Sequence, residues 1–157
     1  MLFNALRLGF LVVPERLIEP FELGRSYVDR HPPTLDQAIL AEFISEGHFG
    51  HHVRRMRQTY AERLEVLMEA SQEHLGEMLN VTEAVAGMRS VAWLTGRGSD
   101  MDAAKAATQR GLEVAALSAF TVKHRHNPAL ILGFAGSSKN EIRRGVVTLA
   151  AALRDLH

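Results

Sequence analysis

Hydrophobic positions change their period along this chain. Near the start, "LGFLVV" is an unbroken apolar run between Arg7 and Pro14. A short run of that kind, closed by proline, predicts a buried strand over Leu8–Val13. Helical spacing follows at once. Pro14 suits a first helical turn, and Glu15 complements the helix dipole. Leu17, Ile18, Phe21 and Leu23 carry the helix to about Arg30, where His31-Pro32-Pro33 breaks it. Thr34, with Gln37 three residues on, has the form of a capping box and predicts a second helix. Its wide apolar face holds Leu35, Ala38, Ile39, Phe43 and Ile44, and it ends near Gly47.

The longest element comes next. Phe49, Val53, Met56, Tyr60, Leu64, Leu67 and Leu75 recur at helical spacing and predict one amphipathic helix from about His48 to about Leu75. Arg54, Arg55, Arg57, Glu62, Arg63, Glu65 and Glu69 form its polar face, and Gly76 can end it.

The second half alternates strand and helix signals. "LNVTEAVAGMRSVAWLT" holds two β-prone runs around Gly87, the stronger at Ser90–Leu94. "SDMDAAKAATQRG" is a capped helix closed by Gly111. "LEVAAL" and "ALILGFAG" are two further strand candidates. "SSKNEIRRGVVTLAAALRDL" is a helix capped near Ser138, with Ile142, Val146, Leu149, Ala150 and Leu153 facing inward. Helices first, then strands interleaved with helices, imply an α+β or α/β layer fold. The expectation is α+β: a small sheet between about Val81 and Phe134, covered on one face by the long helix and the last helix. There is no internal repeat and no low-complexity segment.

Composition narrows the function classes. A chain of 157 residues suits one domain and can bury a sizeable core. Eighteen basic residues balance eighteen acidic ones, so there is no basic excess of the kind that nucleic-acid-binding modules carry. The absence of cysteine excludes disulfides, a thiolate nucleophile and cysteine-ligated zinc. The apolar start is too short for a signal peptide or a membrane span. The default location is the cytoplasm.

Histidines are the first chemical candidates. His48, His51 and His52 fall on one side of a helix start, and His124 and His126 alternate. Such spacings can share a zinc ion, but no carboxylate or cysteine pattern completes a site, so they read as polar surface and cap residues. "HHVRRMRQ" can touch phosphates in principle. The glutamates farther along the helix make a solvated face the better reading.

Several stretches together carry a resemblance. "ALRLGFLVVP", "DQAILAEFISEGHFGHHVRRMRQTYAERLEVL", "GLEVAALSAF" and "LILGFAGSSKNEIRRGVVTLAAAL" resemble the C-terminal part of fold-type I aminotransferases. They are most similar to the aminotransferase-like effector domain of MocR-type transcription regulators of the GntR superfamily. The likeness runs in order over nearly the whole chain, and Glu46–Tyr60 is its most specific part.

The resemblance implies the small domain of a fold that binds pyridoxal phosphate. Residues 1–30 would be a remnant strand and linking helix of the large domain, and residues 31–157 the C-terminal small domain. Arg7 matches the family's phosphate-binding arginine, whose planar fork suits a bidentate contact. On residues alone it is one surface arginine beside a strand, and a phosphate site needs further donors. The family's Schiff-base lysine would stand immediately before Met1. Lys105, Lys123 and Lys139 match no cofactor lysine, so the resemblance implies no catalytic residue and no metal ligand here.

Two departures weaken any transaminase reading. Ala116 and Phe120 stand where the family often has proline and tyrosine. Leu130 and Ile131 stand where aminotransferases place a carboxylate-binding arginine, the nearest here being Arg125.

Three functions follow as expectations. The first is the effector-binding and dimerisation part of a regulator, truncated after the cofactor lysine and inactive alone. Its partners would be a second copy, a missing upstream large domain and an amino-acid or amine effector, with no direct nucleic-acid or membrane contact. The second is the C-terminal fragment of a true aminotransferase. The third is an interaction module on the same scaffold. The orphaned Leu8–Val13 strand would favour self-association.

Overall fold

The computed structural model describes residues 7–28, 33–84, 87–96, 98–122 and 126–156. The chain divides into two compact units, Met1–Arg54 and Arg55–His157.

In the first unit, residues 7–14 are irregular coil rather than the strand expected at Leu8–Val13. The apolar run has the right composition, but a strand exists only where its backbone groups find a ladder, and this stretch pairs with no described strand. Phe10, Leu11 and Val12 are consequently exposed. A 3₁₀ turn at Glu15–Leu17 leads into α1, Ile18–Val28. Pro20 is tolerated there because it lies in the first turn, where its missing N–H removes no intrahelical bond.

Helix α2 is Thr34–Ser45. The expected Thr34 cap is absent: Pro33 is the N-cap residue, and no side chain caps the helix. The Pro33 carbonyl takes the Gln37 N–H at 3.1 Å, so Thr34 is already inside the first turn and cannot cap it. Neither α1 nor α2 has a buried residue. Gly47, at φ 81, makes the left-handed turn that ends α2.

Helix α3, His48–Leu75, has the bounds expected from its spacing. Past Arg55 it buries Val66, Leu67, Ala70, Ser71 and Leu75. A tight turn brings the chain to β1, Leu79–Val81, and then β2, Arg89–Leu94. Helix α4 is Asp100–Gln109, capped by Ser99 Oγ, which accepts from the Met101 and Asp102 N–H groups. Gly111, at φ 75, lets the chain turn back after it. "LEVAAL" yields only β3, Ala115–Ala116, followed by a 3₁₀ turn at Leu117–Phe120. Strand β4 is Ala129–Gly133 and helix α5 is Lys139–Arg154.

The strands form one antiparallel sheet in the order β1-β2-β4-β3. The central register sets Ala92 opposite Leu130 and Ser90 opposite Leu132. Alternation then decides the two faces. Ser90, Ala92, Leu130 and Leu132 point into the core, whereas Val91, Trp93 and Ile131 are half-buried on the other face.

The buried face joins Leu67 and Leu75 of α3, Ala103 and Ala107 of α4, and Ile142, Val146, Leu149 and Leu153 of α5. The fold is therefore α+β, with a small sheet covered by helices on one face. Burial of the α5 stripe at Ile142, Val146, Leu149 and Leu153 follows the 3.6-residue period.

Candidate functional site

The most densely connected polar group in the second unit is Asp100. It is 4% exposed, although the sequence placed it in an ordinary helix cap. Its Oδ1 accepts the Ser118 hydroxyl at 2.6 Å, and its Oδ2 accepts the Ser118 N–H at 2.9 Å and the Ala129 N–H at 3.4 Å. One carboxylate thereby ties the first turn of α4, the Leu117–Phe120 turn and the start of β4 together. Burial alone raises its pKa. The hydrogen bonds from Ser118 and Ala129 and the nearby His126 outweigh that effect and hold the carboxyl below its ordinary value. Its place in the first turn of α4 adds the favourable end of the helix dipole. Sequence reasoning missed this group, because nothing local to "SDMD" signals a partner eighteen residues on.

The Leu117–Phe120 turn is the "ALSAF" stretch singled out by resemblance. Ala116 is buried at the end of β3, Ser118 is consumed by Asp100, and Phe120 is exposed. The turn therefore presents an apolar ring to solvent rather than a polar hydroxyl. Leu130 is wholly buried and Ile131 half-buried on β4. Arg125 lies outside the described residues, as do Lys123 and His124.

Arg7 stands exposed in the irregular first segment, with a left-handed backbone at φ 49. Lys105 is exposed on α4. Lys139 is held by Glu62, with Nζ 2.9 Å from Oε2. The Lys139 hydrogen bond and charge hold the Glu62 carboxyl below its ordinary value. These residues do not by themselves fit a pyridoxal phosphate pocket. Arg7 suits a phosphate, but neither described lysine is the desolvated amine that covalent cofactor attachment needs.

The described histidines each have local surroundings of their own. His48 Nε2 lies 3.1 Å from Glu46 Oε2, and its ring is 5.7 Å from that of Phe43. His51 is exposed, whereas His52 Nε2 is buried without a partner. His126 Nδ1 donates to the Asn127 carbonyl at 2.7 Å. Among the described residues no group of three or more histidines and carboxylates is placed to hold a metal ion. No described helix is long and apolar enough to cross a membrane.

A cavity of about 120 Å³ opens among Met78, Leu94, Leu153 and Leu156, with Ser99 and Asp102 as its polar members. It includes neither Arg7 nor Asp100.

Comparison with known proteins agrees with this architecture. The family described as Aminotransferase class I and II matches residues 1–149. The chain is 39% identical over 151 residues to the probable rhizopine catabolism regulatory protein MocR of Rhizobium meliloti, covering 96% of this chain and 31% of that protein. It is 28% identical over 151 residues to the uncharacterized HTH-type transcriptional regulator YhdI of Bacillus subtilis, covering 96% of this chain and 32% of that one. The chain thus spans about a third of the length of these curated relatives. Among solved structures it is similar to LysN, the alpha-aminoadipate aminotransferase of Thermus thermophilus complexed with N-(5'-phosphopyridoxyl)-L-leucine. That likeness has a TM-score of 0.86 at 23% identity and covers 97% of this chain and 39% of that one. It places the fold as that of a fold-type I aminotransferase small domain.

Proposed function

Because the chain belongs to the Aminotransferase class I and II family, we propose that it forms the C-terminal part of a pyridoxal-phosphate-dependent regulator of MocR type. Residues 1–30 would connect to a large cofactor-binding domain, and residues 31–157 would form the small domain that closes over an amino-acid or amine effector. The observation that carries this reading is the 39% identity to MocR across almost the whole chain. The exposed apolar side chains of the first unit support it. Phe10, Leu11, Val12, Tyr27, Val28 and Leu35 are all more than two-thirds exposed, as expected of a surface that a further polypeptide covers.

In the assembled regulator Arg7 would hold the cofactor phosphate through its guanidinium, while the upstream domain supplies the remaining donors. The cofactor would supply the electrophilic carbonyl that reacts with the effector's amine. A homodimer working in the cytoplasm completes the proposal, with DNA contact left to a winged-helix module rather than to this charge-balanced chain.

Two tests decide. The first reads the coding sequence upstream: a winged-helix stretch ahead of a large aminotransferase-like domain is the expected result, and a cofactor domain standing first would favour a true aminotransferase. The second mixes the purified chain with pyridoxal phosphate, followed by borohydride reduction and peptide mapping. Stoichiometric labelling of a single lysine, or amino-group transfer by this chain alone, would overturn the reading. Adding the large-domain polypeptide is expected to give cofactor binding, and Arg7→Ala to weaken it.

A further inference from the structure

Helix α3 sorts its exposed charges by sign along its length. Its buried side chains are Val66, Leu67, Ala70, Ser71 and Leu75. On the exposed side Arg54, Arg55 and Arg57 come first, then Ala61, then Glu65 and Glu69. At about 100° per residue, Arg54, Gln58, Ala61, Glu65 and Glu69 fall within an arc of about 80° opposite the buried stripe. Arg55 and Arg57 flank that arc. Among the described residues, none of these arginines and neither of these two glutamates takes part in an ion pair.

The arrangement works against the isolated helix. Opposite charges three or four positions apart attract along a helix, yet none of these arginines has a glutamate at that spacing. Glu65, Glu69 and Glu73 instead stand four apart and repel one another. Glu69 and Glu73 also lie toward the C-terminal end, where the helix dipole favours cations. Such a stripe finds its electrostatic complement off its own helix.

The order of the charges names that complement. At a rise of about 1.5 Å per residue, Arg57 lies about 6 Å to one side of Ala61 and Glu65 about 6 Å to the other. Arg54 and Glu69 lie about 11 Å and 12 Å away on the same two sides. A two-fold axis at Ala61 therefore brings Arg57 level with Glu65 of a second copy, and Arg54 level with Glu69 of that copy. We propose that the exposed face of α3 docks a second copy of this chain, the two helices crossing antiparallel at Ala61 so that the arginine half of each meets the glutamate half of the other. The small side chain of Ala61 suits helix axes about 8–10 Å apart. An acidic or a basic partner of another kind would satisfy one half of the stripe only. A second copy satisfies both with one self-complementary surface. This contact goes beyond the regulator reading and does not depend on it.

Sedimentation equilibrium of the whole chain tests the contact, and cross-linking fixes its register. The wild type is expected to dimerise at low salt, with affinity falling about tenfold or more between about 0.05 M and 0.5 M salt, because exposed pairs are screened. The triple variant Arg54→Glu, Arg55→Glu, Arg57→Glu carries one sign only, as does the double variant Glu65→Arg, Glu69→Arg. Each should lose the salt-sensitive dimer. Combining all five substitutions should restore it, since the swapped stripe is again self-complementary. Mixing the two single-sign variants should restore it as well. The chain has no cysteine, so Ala61→Cys supplies one thiol at the axis, and mild oxidation should link two copies through it. Thr108→Cys, exposed on α4, should not link. A monomer at every salt concentration, a dimer equally strong in the single-sign variants, or no recovery on combining the five would overturn the proposal. If a charge variant does not fold, the Ala61→Cys link decides. A dimer held by the exposed apolar side chains of the first unit would ignore both salt and charge swaps, so the homodimer of the regulator reading would stand while this contact fell.

Discussion

Arg63 and Ala135 lie 72 positions apart, yet the Arg63 guanidinium donates through Nη1 to the Ala135 carbonyl. The bond ties the middle of α3 to the loop between β4 and α5. The donor is charged and the site is partly buried, which is the setting in which a single hydrogen bond contributes most. Arg63→Ala is expected to lower unfolding stability by about 1.5–3 kcal/mol. Urea denaturation would show this as a lower midpoint with an unchanged slope. A shift within error would mean that the carbonyl is equally well served by water.

The capping box at α5 offers an independent test. Ser138 Oγ accepts the Glu141 N–H at 3.3 Å, and Glu141 Oε2 accepts the Ser138 N–H at 2.7 Å. Ser138→Ala should cost about 1 kcal/mol, and Ser138→Thr considerably less, because threonine keeps the hydroxyl that accepts from the Glu141 N–H and donates to Glu141 Oε2. Thermal melts of the two variants side by side measure the difference.

Phe134 has the largest fully buried side chain in the described core, at 1% exposure. Phe134→Ala should destabilise by about 3–5 kcal/mol and Phe134→Leu by clearly less, since leucine refills part of the volume. Equal losses for both would point to aromatic contacts rather than cavity formation.

Asp100 gives stability a defined pH dependence. Its folded carboxyl is held below the ordinary value, so the unfolded chain binds the proton more readily than the folded one does. Its contribution is therefore complete above the unfolded carboxylate pKa, near ~3.9, and is lost as pH falls through the lower folded value. Denaturation midpoints measured from neutral pH downward should fall less steeply in that acidic range for Asp100→Asn than for the wild type. Parallel curves for the two proteins would refute the assignment.

What the sequence revealed was mainly what is local. The bounds of α3, the inward stripe of α5 and the cap near Ser138 all follow from spacing within one element, where neighbours in sequence are neighbours in space. Leu8–Val13 was misjudged because strand identity depends on a partner, which composition does not reveal. Thr34 was misjudged because Pro33 already supplies the first helical carbonyl. The burial of Asp100 was not legible, because its three donors, on Ser118 and Ala129, converge only after the chain has folded. The family likeness itself was legible, because several stretches fell in order across nearly the whole length.

Trp93, the chain's single tryptophan, sits on the uncovered face of β2 and donates its indole N–H to Thr82 Oγ1 at 3.1 Å. The protein thus carries its own optical probe at the sheet surface. Its emission reports on one place only, with no second indole to confuse the signal. A polypeptide docking over Val91, Trp93 and Ile131 would shift that emission to the blue. An unchanged emission on adding a partner would mean that this face keeps its surroundings.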